Sequence, residues 1–366
     1  FRVDAEGRIG ARNDVTLAGL IHKMGYRGTT STMLSFGEKG ECRGELVGKP
    51  HTGLSTMFHM MNEARIGVGM GAVMLGYRGY LAALDYARER PQGRHPASKN
   101  PQSPQVRIIE HADVRRMLMV MRSLTEGMRA LCYLTASAID RSLSGKDDAQ
   151  RAEGRLMADL LTPVAKAWCS DMGNEVTSLA IQVFGGSGWV EDSGVAQHYR
   201  DVRVLSIFEG TNGIQAQDLV GRKIWQGEGK AVSDFLGRMR RLSEELGTGD
   251  TSLVAIRKGL ARGVATLEEA TAWMRAQGAG LPVNAAAGAT AYLRLFGGVL
   301  VGYLLAKGAA AARNGSAGGQ YAPAFLEAKV ATARFYMEQV LPLALAAAGP
   351  AMSGAETIFA VPADAL

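Results

Sequence analysis

The sequence predicts a mainly α-helical chain: a short antiparallel β segment, then an antiparallel four-helix bundle, then a second C-terminal helical bundle. Three observations predict it. Long stretches carry apolar residues at every third and fourth position, most of them without an interrupting proline, as amphipathic helices do. The breaks between these stretches are mostly short, which makes consecutive helices antiparallel neighbours. Before residue 59 the pattern changes to short apolar runs between glycine-rich turns, which read as strands.

Residues 1–58 hold such runs, 32–36 and 44–47 among them, which read as short antiparallel strands too short to close a sandwich or barrel. Residues 59–90 read as one helix that stops before Pro91, and the glycines along it imply close helix–helix approach. A loop with Pro91, Pro96, Pro101 and Pro104 leads to a second helix at 106–140. The polar break RSLSGKDDAQ follows, then a third helix at 151–184 with Pro163 as an expected kink. A turn, Gly185-Gly186-Ser187-Gly188, and a short segment precede a helix at about 211–225. Residues 226–230 read as a linker. Four alanine-rich helices are expected beyond it, at 233–247, 252–277, 285–314 and 323–348. The expected domains are therefore a partial β domain at 1–58, a four-helix bundle at 59–225 and a further helical domain at 231–366.

Composition narrows the function classes. Of 366 residues 47% are hydrophobic and 21% charged, which excludes a disordered chain. Lys and Arg number 41 against 35 Asp and Glu, a net charge of +6. Basic residues alternate with acidic ones, so no nucleic-acid stripe is expected. Three cysteines without a CxxC pair argue against a disulfide scaffold and for a reducing, cytoplasmic setting. The histidines show no ligand spacing, so no metal site is expected. The 17 methionines read as core filler. The apolar run at 295–306 is far shorter than the ~20 residues that span a bilayer and reads as a buried core helix.

The chemistry concentrates between Ile181 and Arg222. Glu209 lies in LSIFEGTNG, with Leu205, Ile207 and Phe208 before it and Gly210 after it. A carboxylate held among apolar neighbours is a stronger base near neutral pH. Thr211 can cap the helix that follows, and a helix N-terminus favours anions such as a pyrophosphate. The same residues also fit a plain capping loop whose glutamate is solvated. The Gly185–Gly188 turn follows a helix, not a strand, which argues against a Rossmann dinucleotide site.

The segment resembles the C-terminal signature of acyl-CoA dehydrogenases, flavoproteins that desaturate acyl-CoA thioesters. The matching residues are Val183-Phe184-Gly185-Gly186-Ser187-Gly188, then Tyr199-Arg200-Asp201, then Ile207-Phe208-Glu209-Gly210-Thr211-Asn212-Gly213-Ile214-Gln215. Upstream, Lys23-Met24-Gly25-Tyr26-Arg27, Asn62-Glu63-Ala64-Arg65 and Tyr86-Ala87-Arg88-Glu89-Arg90 resemble the family's middle domain and first bundle helix. The C-terminal extension resembles the longer subgroup that includes methylmercaptopropionyl-CoA dehydrogenase-like proteins.

The resemblance implies roles. Glu209 would take the α-proton of the thioester while the β-hydride passes to FAD. Arg90, Gln182, Gly185, Gly186, Thr211 and Gln215 would contact FAD, Arg90 from a neighbouring subunit. Each has a structural alternative: a solvated Arg90, a capping turn at Gln182–Gly186, an N-cap at Thr211, a surface Gln215. Arg65 and Gly210 would lie by the acyl-CoA site, with a buried ion pair as the other reading of Arg65. Phe208 replaces a family tyrosine, and Gln92-Gly93 replaces Phe-Gly after Arg90. The family's flavin-ring segments are not found in residues 1–366, so the chain is expected to be the C-terminal part of a longer protein. Electron-transfer flavoprotein is the expected electron acceptor, and a homodimer or homotetramer the expected assembly. Alternatives are an acyl-CoA oxidase, a DNA-associated alkylation-response-like flavoprotein, or a catalytically incomplete fragment.

Overall fold

The structure, a computed structural model, describes residues 1–247, 249–315 and 319–366. They form two compact units, Phe1–Glu63 and Ala64–Leu366.

In the first unit β1 (Val15–Leu20) pairs antiparallel with β2 (Thr32–Phe36), Val15 opposite Phe36, with a bulge between Leu17 and Gly19. The Asp14 carboxylate closes the far end by accepting from the backbone N–H of Lys39 and Glu41, at 2.7 and 3.2 Å. Two expectations change. The strand β1 was not foreseen, because Ala18 and Gly19 break its alternation. Residues 44–47, expected as a strand, are unpaired coil, and Leu46 and Val47 are exposed. A strand needs a partner for its backbone groups, and among the described residues none pairs with this run.

The second unit is helical. Helix α1 (Gly53–Glu89) begins earlier than expected and ends before Pro91 as expected. Helix α2 (Ala112–Ser144) begins later than residue 106, because Val106 instead pairs with the chain at Gln92 and Gly93, at 2.9 and 3.0 Å. Helix α3 (Asp148–Phe184) is capped by the Asp147 carboxylate, which accepts from Gln150 N–H, and it continues past a buried Pro163. Two helices missed in the sequence follow, α4 (Gly186–Trp189) and α5 (Val195–Val202). Helix α6 (Asn212–Gly221) is shorter than expected, and the chain then passes through 3-10 turns at Lys223–Gly229.

The remaining helices are α7 (Lys230–Glu245), α8 (Thr251–Gly280), α9 (Pro282–Arg313), α10 (Pro323–Phe335), α11 (Leu341–Leu345) and α12 (Ala348–Ala351). The single helix expected at 323–348 is interrupted by a π-turn at Tyr336–Val340. Pro342, just beyond it, has no N–H to continue the α-helical ladder.

Helices α2 and α3 pack along their lengths, and α9 lies against α8, α10, α6 and α2. Leu295, Phe296, Val299, Leu300, Val301 and Ala306 are buried, so the 295–306 run is a core helix, as expected. Helix α9 is also long and apolar enough to cross a membrane, but 67% of its most apolar window is buried inside the protein.

Close backbone approach at the α2–α3 junction depends on Gly154, whose added Cβ would lie 2.5 Å from Ser142 N and 2.8 Å from Arg141 C. Gly308, on α9, faces open space. We expect Gly154→Ala to lower stability by about 1–3 kcal/mol. Gly308→Ala should raise it by roughly 0.5–1 kcal/mol. Urea unfolding of the two variants checks both signs.

Candidate active site

The short helices after α3 return the chain to the middle of the bundle, where a tight turn joins buried Leu205 to α6. Glu209 and Gly210 both adopt left-handed backbone, with φ of 57° and 83°. Glycine does this freely, whereas a glutamate needs outside support. That support reaches the Glu209 carbonyl from two sides. Arg65, on α1, donates through Nε at 3.4 Å, and Gln215, on α6, donates through Nε2 at 3.3 Å. Gln215 also donates to the Gly210 carbonyl at 3.4 Å. Its Oε1 is buried and unpartnered among the described residues. A Cβ on Gly210 would sit 2.8 Å from Gln215 Nε2, so the amide passes where a side chain would be.

Thr211 caps α6: its Oγ1 accepts from Ile214 N–H at 3.4 Å. Asn212, the first residue of α6, is tied to α3 at both ends of its amide. Its Oδ1 accepts from Lys166 Nζ at 2.9 Å and from Ser170 Oγ at 3.2 Å. Its Nδ2 lies 2.6 Å from Asp171 Oδ1, 2.9 Å from Ser170 Oγ and 3.2 Å from the Ala167 carbonyl. Lys166 is fully buried. Burial pushes its pKa down to about 8, with Arg65 adding to the shift and Asp171 and Glu209 opposing it.

The surroundings of Glu209 differ from the sequence expectation. Leu205 is buried, but Ile207, Phe208 and Ile214 are 51%, 39% and 57% exposed, and Glu209 itself is half-buried. These apolar residues flank the turn as an exposed rim. Gln215, for which a surface position was one reading, is fully buried and serves as a brace of the turn. Arg65 is buried too, yet it makes no ion pair among the described residues; it bonds a carbonyl instead.

The other expected residues gather at the far end of the bundle. Helix α3 ends at Gly185, whose φ of 59° and ψ of −140° only glycine adopts readily. Tyr86 stacks on Phe184 with ring centroids 4.3 Å apart and reaches Ser187 Oγ at 3.4 Å. This stacking brings the end of α1, with Arg90 one turn beyond Tyr86, to the Gly185-Gly186 turn. Gln182, Gly185, Gly186 and Arg90 are all exposed. Arg90 has no ion pair among the described residues. The structure therefore gathers Arg65, Glu209, Gly210, Thr211 and Gln215 at one place and Arg90, Gln182, Gly185 and Gly186 at another. Sequence reasoning missed Lys166, Ser170, Asp171 and the amide of Asn212, because a lysine in an amphipathic helix reads as a solvated face.

Comparison with known proteins bears on the family and the fold of the chain. Residues 51–224 match the family described as "Acyl-CoA dehydrogenase, C-terminal domain", and residues 231–362 match "Acetyl-CoA dehydrogenase C-terminal like". The chain is 39% identical over 335 residues to 3-methylmercaptopropionyl-CoA dehydrogenase of Ruegeria pomeroyi, covering 92% of this chain and 56% of that protein. It is 36% identical over 359 residues to a butyryl-CoA dehydrogenase of Syntrophomonas wolfei, covering 93% and 57%. The chain thus spans little more than half the length of these relatives. Its fold resembles that of Caenorhabditis elegans ACDH-11, solved with C11-CoA (TM-score 0.72, 21% identity, 93% of this chain and 52% of that one). It also resembles a Bacillus anthracis acyl-CoA dehydrogenase solved with FAD (TM-score 0.67, 18% identity, 92% and 56%).

The buried lysine has a thermodynamic signature. Folding lowers its pKa from 10.5 to about 8, so between those values the unfolded chain holds more protons than the folded one. Stability from this group therefore rises as pH climbs from 8 to 10.5. Relative to Lys166→Met, the wild type should therefore gain up to about 3 kcal/mol of stability as pH rises from 8 toward 10.5. Chemical denaturation of both proteins at pH 7 and pH 10.5 measures this, and a constant difference would contradict it.

Proposed function

This chain belongs to the acyl-CoA dehydrogenase family, and on that premise we propose that it carries the base and part of the cofactor site of a flavin-dependent acyl-CoA dehydrogenase. One observation carries the reading: Glu209 sits on a turn held in a left-handed conformation by Arg65 and Gln215, with Ile207, Phe208 and Ile214 flanking it. An α-proton beside a thioester is weakly acidic, so its base must be fixed in place and shielded from water. Glu209 takes the proton from the α-carbon. Ile207, Phe208 and Ile214 meet the apolar part of the substrate and exclude water from the carboxylate. Arg65 and Gly210 lie beside this position.

FAD, when bound, supplies the acceptor for the β-hydride. The residues here fit such a group. No atom lies within 4 Å of a Cβ built on Gly185 or Gly186, and the backbone there is open to a flat ligand. Arg90 offers an unpaired cation to a phosphate, and Gln182 an exposed amide. Thr211 uses its hydroxyl oxygen as an acceptor, which leaves the O–H free to donate. Gln215, being buried, supports the site through the turn.

The two groups of residues lie well apart along α1, one at Arg65, a third of the way down the helix, and one at its end, roughly 37 Å further on. This supports a cofactor shared between copies, with Arg90 and the Gly185 turn of one chain completing the Glu209 site of another. A homodimer or homotetramer follows, with electron-transfer flavoprotein as the electron acceptor. The relatives named above are dehydrogenases, which favours this reading over an oxidase, a DNA-bound flavoprotein or a scaffold.

The holoenzyme should lose its visible flavin absorbance when mixed anaerobically with an acyl-CoA of suitable length. Glu209→Gln should bind FAD but show no bleaching. No bleaching of the wild type across a panel of chain lengths would refute the assignment. If sites are shared, Arg90→Ala should weaken FAD retention while leaving the Glu209 turn intact, measured by flavin release on dilution.

A further inference from the structure

Lys166 has no place in the reaction as described, yet it is the costliest side chain in the bundle interior. A buried ammonium loses its hydration, and a methionine of similar length would fill the same space without that penalty. What the lysine supplies and methionine cannot is a donor to Asn212 Oδ1, at 2.9 Å. Asn212 directly follows Glu209-Gly210-Thr211 in the chain, and its amide is held by α3 at its other end as well. The charged groups that act on Lys166 are Asp171 on its own helix, Arg65 on α1 and Glu209 in the turn.

We propose that Lys166 is a positioning residue for Glu209, acting through Asn212. By gripping that amide it fixes the start of α6 against α3, while Arg65 and Gln215 fix the Glu209 carbonyl. The four-residue turn is then pinned at both ends, and the carboxylate can face only one way. Lys166 has no exposed atom with which to touch a substrate, so it acts through Asn212 alone. The role rests on the reading of Glu209 as the base, but the anchoring does not.

A double-mutant cycle tests it, with Lys166→Met, Asn212→Ala and the double variant prepared as flavin-loaded proteins. Without substrate, amide exchange over residues 207–215 is expected to quicken about tenfold in Lys166→Met. With acyl-CoA, Lys166→Met is expected to lose roughly 100-fold in kcat with KM little changed, as misplacement of a base does. Added to Asn212→Ala, the lysine change should cost almost nothing further. Unchanged exchange, or losses in the double variant that simply add, would overturn the proposal. Should Lys166→Met fail to fold, Lys166→Gln takes its place in the same cycle. If the wild type desaturates no acyl-CoA, the assignment of Glu209 fails, and the exchange cycle still decides whether Lys166 anchors the turn.

Discussion

Two donors on one carbonyl hold the chemistry of this chain in place. The carbonyl of Glu209 receives Arg65 from α1 and Gln215 from α6, and its own backbone is left-handed. A non-glycine residue in that conformation costs about 1–2 kcal/mol. A charged or amide donor returns roughly that amount when buried. The turn persists because α1 and α6 are already packed where they are, and the pair of bonds has no strain of its own to absorb. Gln215 shows how far the arrangement goes. Its amide nitrogen serves two carbonyls, while its oxygen is buried and without a partner among the described residues. An acceptor in that state is a loss the fold carries to keep the turn closed.

The C-terminal helices make that closure possible. Helix α6 lies between α3 and α9, and Gln217 Nε2 reaches across to the Ala286 carbonyl at 2.9 Å. After α6 the chain is fastened again: Lys223 Nζ is 3.2 Å and Gln226 Nε2 2.8 Å from the Asp159 carboxylate. Arg275 then stacks over Trp225, 5.4 Å from its ring centroid. Each of these partly exposed contacts is weak alone. The apolar flank of α9 supplies the larger share, burying Leu293, Phe296 and Leu300 within the same helical unit. Helix α9 thus acts as a backing layer behind the helix that follows Glu209.

Much of this was legible in the sequence, and what was not has definite causes. Glu209, Gly210 and the Thr211 cap stand out because a glutamate between apolar residues and a glycine, followed by a capping residue, is a local pattern. The long helices stand out because their period persists for eight or more turns. Local patterns fail where a distant partner decides. Residues 44–47 look like a strand, yet no partner strand pairs with them. Val106 looks helical, yet it pairs back to Gln92 and Gly93. Residues 323–348 look like one continuous helix, yet a π-turn before Pro342 breaks α10 from α11. Lys166 was invisible for the same reason. Its role comes from Asn212, 46 residues away, and no periodicity marks which lysine of a helix will be covered.

The open rim around Glu209 bears on how such a base could work. Apolar neighbours strengthen a carboxylate as a base only when water is excluded from it. Ile207, Phe208 and Ile214 flank the turn but are themselves exposed, and in the chain alone Glu209 is only half-buried. The backbone beneath it is already fixed by Arg65, Gln215 and the Asn212 anchor, so position is settled before anything binds. On the proposed reading, the acyl chain would close the rim by covering the same three side chains that now face water. Geometry would then be supplied by the protein and desolvation by the substrate. A site divided in this way would aim its base before binding and exclude water from it only under a molecule long enough to cover the rim.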